Sequence, residues 1–319
     1  MLLNWLDKPG IQDTMPPLEL HSLATDPSDG EKRAATLTFK QSPSFLDPLE
    51  RTWTAASKGI DNESVSLTLD LDFFGFTPFH SSPDSECAVD FMWLRDALPK
   101  DFPQARIFVY GYDSKLINSK SFQEIPDLSL NFRDHMSNIL SGSRQLILIG
   151  HSLGGLLVKE AFSRDAAATL NSISGLLFFG APSEGLDNEA LQLMVKDQPN
   201  GYLVKTLGRS SGVLRTQMTA FRRVFEESRF LTFWYYETEM TPTPKQTETD
   251  QWKMTGECRK LVEQGSATNG VPSDTGRHHV RGIQKNHSEM VKLQGVDDTV
   301  YKSILGDLKK VTSDVSHDR

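Results

Sequence analysis

The chain has 319 residues, a formal net charge of −8 and a hydrophobic content of 38%. An acidic chain lacks the clustered Lys and Arg that contact nucleic-acid phosphates, so we expect no nucleic-acid partner. Cys87 and Cys258 provide neither a disulfide framework nor metal-ligand spacing, and we expect no metal and no other cofactor. The chain shows no signal-peptide pattern and no run of ~18 apolar residues. The protein is therefore expected to be intracellular, with peripheral membrane contact still open.

The N-terminal part of the sequence is irregular. Residues 1–33 are rich in Pro, Asp and Ser and are expected to form a flexible lead-in. Residues 35–39 (ATLTF) and 65–71 (VSLTLDL) alternate apolar and polar side chains, which predicts two strands. A domain is expected to occupy residues 34–312, followed by a polar tail over 313–319.

From about residue 88 onward, apolar runs alternate with helical patterns. The predicted elements are, in chain order, a helix ended by Pro99, a strand at 105–112, a helix at 131–140, a strand at 145–150, a helix at 153–167 and a strand at 174–180. Apolar runs between helices are typical of a parallel sheet that is buried on both faces. The sequence therefore predicts an α/β fold with a mostly parallel, doubly wound sheet.

Residues 187–228 interrupt this order with two helical segments and no strand between them. Within the second segment one apolar face is predicted, formed by Leu214, Met218, Phe221 and Phe225. This face either packs in the core or belongs to a cap over the sheet. The pattern then resumes with an aromatic strand at 229–237, a last strand at 278–283 and a final helix at roughly 297–310.

The segment Gly150-His151-Ser152-Leu153-Gly154 lies between a buried strand and a helix. In that context G-x-S-x-G predicts a nucleophile elbow, a strained turn that presents the serine hydroxyl above the sheet. Glycines at 150 and 154 are expected to remove side-chain collisions in the turn. The free N–H groups of the following helix favour an oxyanion, and the backbone N–H of Leu153 is the expected first donor.

A serine nucleophile needs a base, and in α/β-hydrolases the chain order is Ser, acid, His. The histidines beyond Ser152 are His278, His279, His287 and His317. His317 lies in the polar tail, and the adjacent pair opens the last strand. His287 follows that strand in a loop that can reach the serine, so His287 is the predicted base.

Three carboxylates are candidates for the acid that orients the base. Glu237 ends the aromatic strand, Glu239 lies two residues further on, and Asp250 lies deeper in the loop. Glu237 is preferred because a strand end holds a side chain more rigidly than a loop, and ligand chemistry gathers at the carboxyl edge of a parallel sheet. The helical insertion then separates the strands on the nucleophile side from the acid-bearing strand.

Five segments taken together resemble the serine active site-containing protein family of α/β-hydrolases, which is related to lipases. They are WLRDALPKDFPQARIFVYGYDS (93–114), LILIGHSLGGLLVKEAF (146–162), GLLFFGAPSEG (175–185), FWYYETEM (233–240) and NHSEMVKL (286–293). The resemblance implies a serine esterase or lipase-like enzyme with Ser152 as nucleophile, Glu237 as acid and His287 as base. It also implies a small-molecule or lipid ester as substrate and work at mitochondrial or endoplasmic reticulum membranes.

The N-terminal side departs from this family. Thr52-Trp53 matches a family motif, but the His-Gly turn that normally precedes it and supplies the second oxyanion donor is missing. Residues 58–87 read as a divergent or inserted segment, in which Gly75 is the candidate replacement donor. Loss of one donor commonly costs about 10²–10³ in turnover. Two hypotheses therefore stand: a serine hydrolase that works through an acyl-enzyme, or a weak or inactive hydrolase-like binding or signalling module.

The divergent segment also contains an aromatic cluster around Gly75. Its members are Phe73, Phe74, Phe76 and Phe79. The cluster either packs in the core, lines an acyl pocket or touches a membrane surface.

Overall fold

The computed structural model describes residues 18–25, 33–39, 52–58, 64–70, 75–78, 91–139, 144–163, 170–227 and 229–317. The chain divides into two compact units, Met1–Asp90 with Leu94–Tyr112 and Phe91–Trp93 with Asp113–Arg319. The expected domain limits at 34–312, and the divergent nature of 58–87, stay predictions.

The first unit consists mainly of antiparallel strand pairs. Its elements are β1 (Leu18–Thr25), β2 (Arg33–Phe39), β3 (Thr52–Lys58), β4 (Ser64–Asp70), β5 (Gly75–Pro78), α1 (Trp93–Asp96, which begins in the second unit), α2 (Leu98–Asp101) and β6 (Phe108–Gly111). Strand β1 pairs with β2, β3 with β4, and β5 with β6. The strand predicted at 105–112 is thus present in shorter form as β6.

Strand β1 lies inside residues 1–33, where a flexible lead-in was expected. Its pairing with β2 shifts register between Leu20 and Ser22, which is a β-bulge. A bulge adds one residue to one strand and so interrupts the two-residue alternation by which a strand is recognised in sequence. The rest of the expected lead-in lies outside the described residues.

The second unit contains the parallel sheet and its helices. Its elements are α3 (Ile125–Ile139), β7 (Leu146–His151), α4 (Leu153–Ser163), β8 (Ile173–Phe179), α5 (Glu189–Met194), α6 (Gly201–Thr206), α7 (Gly212–Glu227), β9 (Leu231–Glu237), β10 (Thr241–Pro242), β11 (Lys245–Gln246), β12 (Trp252–Lys253), β13 (Cys258–Arg259), α8 (Gln264–Ala267), β14 (His278–Ile283) and α9 (Thr299–His317). Four strands form one sheet in the order β14-β9-β8-β7, and all neighbours are parallel. The predicted parallel α/β fold is confirmed, with α5, α6 and α7 as the helical insertion between β8 and β9.

Helices cover both faces of this sheet. Successive side chains of a strand point to opposite faces. On one face Phe178 and Trp234 stack at 4.7 Å, and Phe178 meets Phe221 of α7 at 5.9 Å. On the other face the Tyr235 hydroxyl donates a hydrogen bond of 2.9 Å to Asp307 of α9. The sheet is therefore doubly wound, as predicted.

The apolar face of α7 packs in the core. Leu214, Phe221 and Phe225 are buried and Met218 is half-buried. Burial of this face, with Phe221 packed on Phe178 of the sheet, supports the core-packing alternative for α7.

The final helix is longer than the sequence suggested. Helix α9 continues to His317, through residues 313–317 of the expected polar tail. Its apolar stripe includes Tyr301, Ile304 and Val311, all buried. Polar composition by itself does not end a helix, and so the composition alone placed the end too early.

One lysine lies wholly inside the core. Lys159 of α4 is 0% exposed, and its ammonium group donates to Ser183 Oγ and, at 3.1 Å, to Asn269 Oδ1. It also lies 4.9 Å from the centre of the Trp234 ring. Burial lowers the pKa of Lys159 to about 7, because the charged form is poorly solvated there.

Candidate active site

The turn from β7 into α4 consists of a single residue, Ser152. Its φ of 51° lies in the left-handed region, which costs a residue with a side chain about 1–3 kcal/mol. The Ser152 N–H donates to the Phe179 carbonyl at 2.9 Å, which ties the turn to the end of the neighbouring strand. The side chain is thereby presented at the carboxyl edge of the sheet.

Two glycines let the strand and the helix approach this closely. A Cβ atom at Gly150 would lie 2.7 Å from Gly155 Cα, and one at Gly155 would lie 2.6 Å from the Ala181 Cβ. The motif predicted a role for Gly150 and Gly154 but not for Gly155. The sequence feature that could have indicated this role is the second glycine in the segment SLGG at 152–155. Gly154 lies in the first turn of α4, and its predicted role stays a prediction.

The structure brings Ser152, His287 and Glu237 into one hydrogen-bonded chain. Ser152 Oγ lies 3.0 Å from His287 Nε2, and His287 Nδ1 lies 2.7 Å from Glu237 Oε2. The His287 and Glu237 side chains are buried, with Glu237 only 1% exposed. Strands β7 and β9 end at the same edge of the sheet, and His287 follows β14 in the loop beyond that edge. Parallel topology therefore explains why residues 135 and 50 positions apart meet.

The second oxygen of Glu237 is also occupied. Glu237 Oε1 accepts hydrogen bonds from the backbone N–H groups of Leu261, at 2.8 Å, and Val262, at 3.0 Å. Two such donors fix the orientation of the carboxylate toward His287. Neither donor is predictable from the sequence, because a backbone N–H contact leaves no signature in side-chain identity.

The other candidates lie elsewhere. Glu239 and Asp250 are exposed. His278 and His279 lie at the start of β14, where His279 contacts Asp274 at 3.3 Å. His317 is the last residue of α9.

His151 holds the backbone of the His287 loop. Its Nε2 lies 2.9 Å from the His287 carbonyl oxygen, and since a carbonyl only accepts, Nε2 carries the proton. The His287 N–H donates to Thr241 Oγ1 at 3.0 Å, so both backbone groups of His287 are anchored. Burial, followed by the nearby His287, lowers the pKa of His151 to about 4. His151 is therefore a neutral donor near neutral pH, a role that its place in the elbow motif did not reveal.

The expected oxyanion donors lie in different units. Leu153 is the first residue of α4, where helical N–H groups are unpaired within the helix. Gly75 lies in the first unit, at the start of β5 and opposite Gly111. Its assignment as a donor stays a prediction.

The aromatic cluster is only partly described. The Phe76 ring packs against Phe108, at 6.2 Å, and Tyr110, at 4.9 Å. This contact favours internal packing for Phe76, whereas Phe73, Phe74 and Phe79 lie outside the described residues.

Two further properties concern only the part of the chain that the structure describes. No group of three or more His, Cys, Asp or Glu side chains there could hold a metal ion. None of the described helices has the length and apolar character that crossing a membrane requires.

Comparison with curated proteins finds the Protein SERAC1 sequences of several vertebrates. The chain is 28% identical to that of Mus musculus over 165 residues and 30% identical to that of Danio rerio over 167 residues. Each match covers 47% of this chain but only 24% and 25% of those proteins. The chain thus spans about a quarter of these relatives, and no family model matches it.

Comparison with solved structures finds hydrolases at low similarity. Esterase RhEst1 from Rhodococcus sp. has 11% identity and a TM-score of 0.40, covering 82% of this chain and 98% of that chain. Lipase BlEst2 from Bacillus licheniformis has 14% identity and a TM-score of 0.37, covering 57% and 75%. These likenesses are too slight to assign a function.

The low pKa of His151 predicts a pH dependence of stability. Between about pH 6.5 and pH 4 the unfolded chain binds a proton at this site that the folded chain does not, so the free energy of unfolding falls as the pH falls. We expect the His151→Gln variant to lose less stability than the wild type between about pH 7 and pH 5 in urea unfolding. The exposed His135→Gln variant serves as the control and should follow the wild type. Equal losses in His151→Gln and wild type would contradict the prediction.

Proposed function

We propose that this protein is a serine hydrolase that cleaves a carboxylic ester through an acyl-enzyme. The observation that carries the proposal is the continuous hydrogen-bonded chain from Ser152 Oγ through His287 to Glu237. Its nucleophile sits in a strained turn at the N-terminus of α4, and its carboxylate is buried. Such an arrangement supplies a nucleophile, a base and an orienting acid in the order that acyl transfer requires.

The reaction follows from the protons that these atoms can hold. Ser152 Oγ attacks the ester carbonyl carbon while His287 Nε2 takes the hydroxyl proton. Glu237 accepts the Nδ1–H of His287, which keeps Nε2 free to act as base and stabilises the imidazolium that forms. The Leu153 N–H stabilises the oxyanion. His287 then returns the proton to the departing alcohol, and water releases the acid from Ser152 by the same steps.

The substrate is proposed to be an acyl or lipid-like ester, following the family resemblance of the five sequence segments. Peripheral contact with a membrane and an intracellular location at mitochondria or endoplasmic reticulum are part of the same proposal. Gly75 is proposed as the second oxyanion donor. A hydrolase-like binding or signalling module is the alternative, and the missing His-Gly turn favours it.

Removal of the nucleophile tests the proposal directly. We expect Ser152→Ala to reduce hydrolysis of p-nitrophenyl butyrate to the background rate, since no other group would form the acyl-enzyme. The Ser137→Ala variant on α3 is the matched control and should keep the wild-type turnover. Circular dichroism shows whether each variant is folded. Hydrolysis by Ser152→Ala at the wild-type rate would exclude the proposed mechanism, and a folded wild type without turnover would favour the binding module.

Substitution of two nearby glutamates tests which of them orients His287. Glu237→Gln should lower kcat by about 10²–10⁴, because an amide does not hold the His287 tautomer or stabilise its charge. Glu239→Gln changes an exposed carboxylate two residues away and should leave kcat within about twofold. Steady-state kinetics of the two variants checks the assignment. A larger loss in Glu239→Gln than in Glu237→Gln would reverse it.

A further inference from the structure

Buried Lys159 joins the nucleophile's helix to two other parts of the chain. It lies on α4, about two helical turns beyond Ser152. Its ammonium group donates to Ser183 Oγ, in the chain that follows β8, and to Asn269 Oδ1 at 3.1 Å. Burial lowers its pKa, and no ion pair with a carboxylate of the described residues offsets that effect. All of these residues lie in the second unit.

The charge of Lys159 does not explain its presence in the core. A buried cation without a carboxylate partner costs free energy, of which the Trp234 ring, 4.9 Å away, offsets a part. An apolar side chain of similar length would fill the same space without that cost. Lysine differs from it by its directed N–H groups, which number three in the charged form and two in the neutral amine. Both acceptors are therefore served in either form, and the contribution of Lys159 is to fix their positions.

Residues 261–269, which include helix α8, form the support segment of Glu237. At one end of the support segment the N–H groups of Leu261 and Val262 donate to Glu237 Oε1, at 2.8 Å and 3.0 Å. At the other end lies Asn269, which is 0% exposed, as is Val262. The support segment is thus attached to the carboxylate at its beginning and to α4 at its end.

The chain that follows β8 is joined to the support segment as well. The Ser183 N–H donates to the Ser266 carbonyl at 3.2 Å, and the Asp187 N–H donates to the Leu261 carbonyl at 2.8 Å. Since Lys159 donates to Ser183 and to the end of the support segment, it lies where these two parts of the chain meet α4.

We infer that Lys159 is a positioning residue for Glu237, and that it acts by holding the support segment to the helix that begins beside the nucleophile. The inference rests on the proposed function, because it assigns a further residue to the same reaction. The N–H groups behind Glu237 and the start of α4 are thereby kept in a fixed relation, so that the acid stays aligned with His287.

Steady-state kinetics of Lys159→Met tests this role. The substitution removes the N–H groups and keeps an unbranched side chain. We expect kcat for p-nitrophenyl butyrate to fall about tenfold and KM to stay within about twofold, because a misaligned acid weakens the transition state more than ester binding. Lys205→Met on α6 replaces an exposed lysine and is the matched control, which should keep the wild-type values.

Hydrogen–deuterium exchange, followed by peptide mass spectrometry, reports on the support segment itself. In Lys159→Met the peptide with Leu261 and Val262 should exchange about tenfold faster, because the far end of its segment is released. The peptide with strand β8 should exchange at the wild-type rate. A general loss of stability would instead accelerate exchange in both peptides.

A double-mutant cycle shows whether Lys159 acts through Glu237. In the Glu237→Gln background the carboxylate is already removed, so the addition of Lys159→Met should lower kcat by less than about twofold. Two residues that act independently would instead show the full tenfold loss in both backgrounds.

The outcomes separate this inference from the proposed function. A wild-type kcat, or a tenfold loss that is repeated in the Glu237→Gln background, would overturn the inference. Wild-type exchange of the peptide with Leu261 and Val262, or faster exchange in both peptides, would also overturn it. If the wild type hydrolyses no ester, the proposed function fails, and the exchange rates alone uphold or overturn the attachment by Lys159.

A second variant serves if Lys159→Met does not fold, which circular dichroism shows. Asn269→Gly removes the acceptor of the same hydrogen bond, and glycine tolerates the φ of 53° at this position. The same lowered kcat and the same local increase in exchange are expected, and wild-type behaviour in either measurement would overturn the inference.

Discussion

The left-handed turn at Ser152 is the constraint on which the rest of the site depends. A chain that leaves β7 and enters α4 within one residue needs glycine at both 150 and 155, because a Cβ atom at either position would collide with backbone or with Ala181. The close approach lifts the hydroxyl above the sheet edge, and it places the start of α4 next to it. The strain at Ser152 is balanced by the packing of α4 and β8 around the turn.

The charges of the site are arranged around that turn by the parallel sheet. Glu237 is buried at the end of β9, and its two oxygens are shared between His287 and the N–H groups of Leu261 and Val262. His151 and Thr241 then fix the backbone of His287. In the proposed mechanism His287 is the base, and because its side chain and both backbone groups are held, little reorganisation is needed when charge develops.

Local sequence patterns predicted the parallel sheet and the elbow, because a buried strand and a glycine-bounded turn each depend on residues that are adjacent in the chain. Glu237 and His287 were predicted from chain order and strand ends, and the structure brings them to Ser152. The N–H donors to Glu237, the His151 contact and the burial of Lys159 were not predictable. Each depends on residues far apart in the chain, and long-range contacts leave no periodicity. Strand β1 was not predicted for a different reason. Its bulge interrupts the local two-residue alternation by which a strand is recognised.

Covalent labelling tests most directly whether Ser152 is an activated nucleophile. The folded protein would be treated with a fluorophosphonate probe, and the modified residue would be identified by peptide mass spectrometry beside the Ser152→Ala variant. A label confined to the peptide with Ser152, and absent from the variant, is the result that the account predicts. A folded protein that takes up no label, or takes it up at another serine, would contradict it.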